Sequence, residues 1–144
     1  MLRPVIRMNE AQIAHIKGAG ERAYPEECCG LLVGHAPRAD EVAVTRIVDS
    51  PNVHPERTRD RFEIDPKIRF DVERDLRGSA ERIIGHFHSH PDHPAEPSET
   101  DRAMAFEPEL IWVIVAVADG RAGETRAFKV DEARGAFAAV EIES

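Results

Sequence analysis

The sequence predicts one domain of the α/β (α+β) class, in which helices flank a mixed β-sheet. Two observations favour this class. Short apolar runs typical of buried strands alternate along the chain with stretches whose apolar residues recur at helical spacing. The length of 144 residues is that of a single domain, and no repeat, low-complexity tract or Gly/Ser linker divides it. We therefore expect residues 1–144 to fold as one unit.

The first predicted elements are a helix and two strands. Asn9, with Gln12 three residues later, is a capping-box pattern that predicts a helix N-terminus. Pro25 ends that helix, because proline lacks the backbone N–H that a helix interior needs. The continuous apolar run at 30–34 predicts a buried strand, and the looser alternation at 41–48 predicts the next strand.

A loop and a second helix follow these strands. The stretch 49–61 carries two prolines and many charges, which indicates an exposed loop. Residues 62–64 predict a short strand. Asp65 is placed to cap a helix that begins at Pro66. Three apolar residues at helical spacing form the predicted buried stripe of that helix: Ile68, Val72 and Leu76.

The C-terminal half of the chain predicts further strands around a short helix. Residues 83–88 indicate a buried strand, and the three prolines within 91–97 indicate an irregular loop. Ser98, with Asp101 three residues later, predicts the start of a short helix that runs through Phe106. The remaining strands are predicted at 110–118 and, as a hairpin, at 125–130 and 137–142.

The charge and cysteine content exclude several classes of function. A formal net charge of −8 argues against nucleic acid or an anionic membrane as the main partner. Cys28 and Cys29 are adjacent, so they indicate neither a disulfide scaffold nor a structural zinc site of the cysteine type.

The N-terminal residues lack the apolar core of a signal peptide, and the most apolar run, 110–118, is too short to span a bilayer. We expect a reduced, cytoplasmic protein.

Closely spaced histidines suggest a metal site. His88 and His90 would point to the same face of a strand, but so would His86 and His88, so this spacing alone does not select the ligands. The downstream segment selects them, because a loop of seven residues returns the chain to Ser98 and the first helical turn then presents Asp101. Two imidazoles and one carboxylate leave a fourth tetrahedral position open for water, which is the pattern of catalytic zinc.

A hydrolytic metal site also needs a proton acceptor. The candidates are Glu26 and Glu27, which lie next to a predicted buried strand. Gly30 at the start of that strand permits the close approach of backbone or ligand. Composition and spacing do not distinguish the two glutamates.

These residues together resemble the JAMM, or MPN-plus, zinc metallopeptidases. Glu27, followed by His88-Ser89-His90, seven residues, Ser98, two residues and Asp101, matches every position of the family signature. The segments 25–34 and 61–66 are similar to the small stand-alone bacterial members. The resemblance implies the JAMM/MPN fold, which is similar to that of the cytidine deaminases, and hydrolysis of a peptide or isopeptide bond.

The resemblance also implies a role for each matching residue. His88, His90 and Asp101 would bind one Zn²⁺ ion with its water, and Glu27 would be the general base. Ser98 would donate its hydroxyl to the tetrahedral oxyanion.

A class of substrate follows from the same resemblance. The small bacterial members are associated with ubiquitin-like sulfur-carrier proteins, from which they remove an amino acid or peptide that follows the C-terminal Gly-Gly. We expect such a carrier, or its C-terminal adduct, as the partner. Two alternatives stay open: a non-catalytic MPN-type scaffold, and a peptidase of this family with another peptide substrate. A nucleobase deaminase is disfavoured, because its Pro-Cys-x-x-Cys zinc element is missing.

Overall fold

Seven strands and three helices make up the fold in this computed structural model, which describes residues 3–58 and 60–144. The strands are β1 (Val5–Arg7), β2 (Cys29–Arg38), β3 (Glu41–Ser50), β4 (Arg82–Pro91), β5 (Ile111–Ala118), β6 (Arg121–Asp131) and β7 (Ala136–Glu143). The helices are α1 (Glu10–Ala23), α2 (Pro66–Asp75) and α3 (Glu99–Ala103).

The strands form one mixed sheet that closes into a barrel in the order β1-β3-β2-β4-β5-β6-β7. The short strand β1 closes it by pairing in parallel with both β3 and β7. Strands β4 and β5 are also parallel, whereas the other neighbours are antiparallel. The predicted mixed sheet with flanking helices is therefore confirmed, and its closure is a feature that the sequence pattern did not predict.

The core lies between α1 and the sheet. Ile16 on α1 is buried against apolar side chains that include Leu32, Phe87 and Val115. Gly20 brings the helix close to the sheet, since a Cβ there would contact Val117 and Ser89. No helix in the described ranges is long and apolar enough to cross a membrane.

The helix starts agree with the sequence. Asn9 and Gln12 form the predicted capping box, and the Asp65 side chain accepts a hydrogen bond from the backbone of Lys67 at the start of α2. Helix α1 ends at Ala23, just before Pro25, as predicted. Val72 is the buried member of the α2 stripe, and Ile68 and Leu76 are partly buried beside it.

Several boundaries differ from the prediction. Residues 62–64 form no strand, because they pair only through an isolated bridge between Asn52 and Ile64. Helix α3 ends at Ala103 rather than Phe106, since the dihedral angles of Met104 (φ −100°, ψ 3°) are no longer those of an α-helix. Strand β4 continues past the predicted residue 88 to Pro91, because its parallel pairing with β5 continues that far.

Candidate metal centre

Strand β4 places two histidines on one face of the sheet. His88 pairs with Ile114 of β5 and His90 with Ala116, so both side chains emerge from a regular parallel ladder. Residues two apart on a strand point the same way. The predicted convergence of His88 and His90 therefore follows from the length of β4, which carries both residues within its ladder.

The start of α3 supplies the third residue. Ser98 and Asp101 form a capping box: the Asp101 N–H donates to Ser98 Oγ at 3.0 Å, and the Ser98 N–H donates to Asp101 Oδ2 at 2.9 Å. These reciprocal bonds fix the Asp101 carboxylate at the first helical turn. One of its oxygens is thereby held towards the two histidines.

The three side chains converge in a geometry that fits a metal ion. His88 Nε2 lies 3.0 Å from His90 Nε2, and Asp101 Oδ2 lies 3.3 Å and 3.0 Å from these two nitrogens. Ligand bonds of about 2.0–2.1 Å in tetrahedral zinc sites place ligand atoms about 3.3–3.4 Å apart. The residues are buried, with exposed fractions of 0% for His88, 5% for His90 and 3% for Asp101. This nitrogen and oxygen donor set could hold a metal.

The surrounding contacts orient both imidazoles. The Pro94 carbonyl lies 2.8 Å from His90 Nδ1 and can only accept, so Nδ1 carries the proton and Nε2 presents its lone pair. The His88 ring stacks on Phe62, with ring centroids 4.3 Å apart and an interplanar angle of 16°. Trp112 packs edge-on against the same imidazole at 5.7 Å. These contacts hold both imidazoles in place without requiring a bound ion.

The protonation of the cluster suits metal binding. Burial lowers the pKa of His88, which keeps this imidazole neutral. Burial opposes ionisation of Asp101, but His88, His90 and the Ser98 N–H outweigh it and hold the pKa of the carboxyl below its usual range. Burial also disfavours the charged form of His90, yet the bonds with Asp101 and Pro94 raise its pKa overall. A cation would therefore meet a neutral His88 imidazole beside a carboxylate that is already ionised.

Glu27 faces the same cleft. Together with His90 and Ser98 it lines a cavity of about 270 Å³. Its side chain is buried (3% exposed), and Oε1 has no hydrogen-bond partner among the described residues. Burial raises the pKa of Glu27 to about 8. By contrast, the Glu26 side chain is 40% exposed and forms an ion pair with Arg57.

Ser98 can serve both as a helix cap and as a hydrogen-bond donor. Its Oγ accepts the Asp101 N–H, and no residue in the described chain accepts its hydroxyl proton. Because Ser98 also lines the cleft, that proton can be donated to a bound group.

Asn52 is a residue of the site that the sequence analysis missed. Its Nδ2 donates to the carbonyls of Glu27 (3.2 Å) and Arg61 (3.0 Å). Its Oδ1 accepts from the N–H groups of His54 (3.1 Å) and Glu63 (3.0 Å). One side chain therefore connects the Glu27 segment to the loop that carries Phe62. An asparagine in a proline-rich loop gives no sequence signal for this role.

Two further histidines and the two cysteines lie around the centre without joining it. His86 packs edge-on against Trp112 at 4.4 Å, and burial lowers its pKa to about 3. His93 is exposed and lies 3.3 Å from Asp60. Cys28 and Cys29 are buried, and burial raises the pKa of these thiols to about 11 and about 12.

This chain is similar to several known proteins. Residues 9–131 match the family described as prokaryotic homologs of the JAB domain. The chain is 29% identical over 120 residues to the CysO-cysteine peptidase of Mycobacterium tuberculosis, and the match covers 83% of this chain and 76% of that protein. It is 30% identical over 109 residues to the desampylase of Haloferax volcanii, and that match covers 76% of this chain and 75% of the desampylase.

Solved structures share the same architecture. A solution structure of a Desulfitobacterium hafniense protein has a TM-score of 0.81 and 27% identity, and the match covers 96% of this chain and 94% of that one. A JAB1/MPN domain protein from Archaeoglobus fulgidus has a TM-score of 0.56 at 18% identity and shows the fold alone, over 98% and 99% of the two chains. Since the family match spans most of the sequence, this chain belongs to the prokaryotic JAB (JAB/MPN) family.

Proposed function

We propose that this chain is a zinc-dependent peptidase that hydrolyses the amide bond after the C-terminal Gly-Gly of a ubiquitin-like sulfur-carrier protein. The observation that carries the proposal is the convergence of His88, His90 and Asp101 in a cleft that Glu27 and Ser98 also line. The names of two relatives, a peptidase and a desampylase, support hydrolysis. The carrier substrate rests on the resemblance to the small bacterial members of the family.

In this proposal His88, His90 and Asp101 hold the zinc ion. When bound, the ion would supply Lewis-acid chemistry that polarises the scissile carbonyl and activates water near neutral pH. Phe62 and the Pro94 carbonyl keep the two imidazoles in the binding orientation.

Glu27 and Ser98 handle the proton and the developing charge. A carboxyl group whose pKa lies near neutral can accept a proton and release it within one catalytic cycle. Glu27, whose pKa burial raises to about 8, would take a proton from water and deliver it to the leaving nitrogen. The Ser98 hydroxyl would donate to the carbonyl oxygen of the substrate as negative charge develops on it.

The test is intact-mass spectrometry of a sulfur-carrier protein extended past its Gly-Gly, after incubation with the zinc-loaded protein. We expect a mass loss that ends at the second glycine, and we expect chelation to abolish it. Glu27→Gln should be inactive with zinc still bound, whereas the matched control Glu26→Gln should cleave normally. An inactive Glu26→Gln beside an active Glu27→Gln would assign the base to Glu26. Stoichiometric zinc without any cleavage would remove the carrier from the proposal.

A further inference from the structure

We propose that Tyr24 and Asp92 form a positioning pair that holds the Glu27 segment and the His90 loop in the geometry that binds the metal. This inference rests on the proposed function and extends it to two residues outside the cleft. The Tyr24 hydroxyl lies 2.9 Å from Asp92 Oδ1 and 2.7 Å from Oδ2, so its single proton is shared between the two oxygens of one carboxylate. These residues are 68 positions apart in the sequence.

The pair joins the two segments that carry the proposed machinery. Tyr24 caps the C-terminus of α1, and Glu27 follows three residues later. Asp92 directly follows β4 and lies midway between His90 and Pro94. The residue after Glu27 is tied to β4 itself, because the Cys28 N–H donates to Ser89 Oγ at 2.8 Å and the Cys28 carbonyl accepts from the Ser89 N–H at 3.2 Å. Beyond that strand, the Tyr24–Asp92 contact is the one described hydrogen bond between residues 24–27 and residues 91–97.

Asp92 occupies a strained turn that is anchored from several sides. Its φ of 58° is in the left-handed region, which aspartate tolerates better than most residues. Its N–H donates to the Val117 carbonyl at 2.6 Å, and its Oδ1 lies 3.4 Å from the N–H of Asp119. The backbone of the turn is therefore tied to β5, while its side chain is tied to Tyr24.

The functional groups of both segments are held indirectly. Glu27 Oε1 has no hydrogen-bond partner among the described residues, so the path of its backbone sets the position of the carboxylate. His90 takes its orientation from the Pro94 carbonyl, which lies on the loop that begins at Asp92. Loss of the Tyr24 hydroxyl would loosen this loop and with it the orientation of His90.

The chemistry of the pair makes it measurable. A hydrogen bond to an ionised acceptor is stronger than one between neutral groups. The bond to Asp92 raises the pKa of the Tyr24 phenol above its ordinary value. Because Tyr24 is the only tyrosine in the chain, the ultraviolet absorbance of phenolate reports this group alone.

The experiment compares the variants Tyr24→Phe and Asp92→Asn with the control Asp75→Asn. Asp75→Asn makes the same chemical change at an exposed residue at the end of α2. Zinc affinity is measured by competition with a chromophoric chelator, and Tyr24 ionisation by absorbance. The rate constant kcat and KM are measured on the extended carrier.

For Tyr24→Phe we expect zinc affinity and kcat each to fall about 10-fold, the lower end for residues that support a metal ligand, with KM nearly unchanged. Asp92→Asn keeps an acceptor oxygen and tolerates the left-handed turn, so it should retain most of the zinc affinity while the pKa of Tyr24 returns towards 10. Asp75→Asn should leave zinc affinity unchanged.

Two results would overturn the pairing. If Tyr24 ionises at its ordinary pKa in the unmodified protein, the bond does not form in solution. If Tyr24→Phe binds zinc as tightly as the unmodified protein, the bond does not position His90. Neither measurement needs a substrate, so a failure to cleave the carrier would count against the proposed function and leave this test intact.

Discussion

The burial of Glu27 leads to a prediction about stability that needs neither metal nor substrate. Burial raises the pKa of this carboxyl group from 4.5 to about 8 in the folded protein. The native state therefore binds its proton more tightly than the unfolded chain does. In the metal-free protein, the contribution of Glu27 to the free energy of unfolding should therefore fall as the pH rises from about 4.5 to about 8. Glu27→Gln replaces the titrating group with a neutral amide of the same shape and should abolish this contribution.

The size of the effect follows from the two pKa values. Each pH unit between these two pKa values lowers the contribution of Glu27 to the free energy of unfolding by about 1.4 kcal/mol. Between about pH 5.5 and about pH 7.5, the contribution of Glu27 to the free energy of unfolding should fall by about 2–3 kcal/mol. His88, His90 and Asp101 are present in both proteins, so the difference between them reports Glu27 together with its charge interactions with His90 and Asp101.

The assay is urea unfolding in the presence of a metal chelator at both pH values. The single tryptophan, Trp112, is 2% exposed, and its fluorescence reports the transition. Glu26→Gln is the matched control, because it makes the same change at a half-exposed neighbour and should follow the unmodified protein. If the unmodified protein and Glu27→Gln lose stability in parallel between the two pH values, Glu27 is not held in a desolvated site and the reasoning is refuted.

Three further predictions concern the centre and the sheet. Asp101→Asn should weaken zinc binding by more than about 100-fold, because mutation of a residue that only supports a metal ligand already lowers metal affinity by about 10–100-fold. Chelator competition measures the zinc affinity, and Glu99→Gln at an exposed neighbour is the control. Ser98→Ala should keep zinc but lower kcat by about 10²–10³-fold, and an unchanged kcat would leave Ser98 as a helix cap alone. Gly34→Ala should lose about 1–3 kcal/mol in urea unfolding, because its Cβ would overlap a carbonyl oxygen of β3, whereas Gly123→Ala on β6 has room and should be near neutral.

The parts of the fold that depend on residues close in sequence could be predicted. The capping residues Asn9 and Ser98 each bond to a residue three positions later, so their helix starts are visible in the sequence. The spacing of His88, His90 and Asp101 likewise determined the candidate ligands, because a strand and a helical turn present side chains at known intervals.

The parts that depend on distant residues could not be predicted. Residues 62–64 have the composition of a strand, but no neighbouring strand lies beside them, and the Asn52 side chain holds this segment instead. The contact between Tyr24 and Asp92 bridges 68 positions, and nothing in either local sequence indicates it. The choice of Glu27 over Glu26 came from the family resemblance, and the different burial of their side chains is visible only in the folded chain.

The closure of the barrel has a consequence for how the protein behaves in concentrated solution. Every strand has two neighbours, and β1 pairs with residues 41–43 of β3 and residues 141–143 of β7, which would otherwise lie on open strand edges. Unpaired strand edges are the usual starting points for aggregation and domain swapping. This protection depends on β1, which has only 3 residues and separates the much longer β3 and β7. If β1 detaches, both of these stretches lose their strand partner at once, so the shortest strand is the one that closes the sheet.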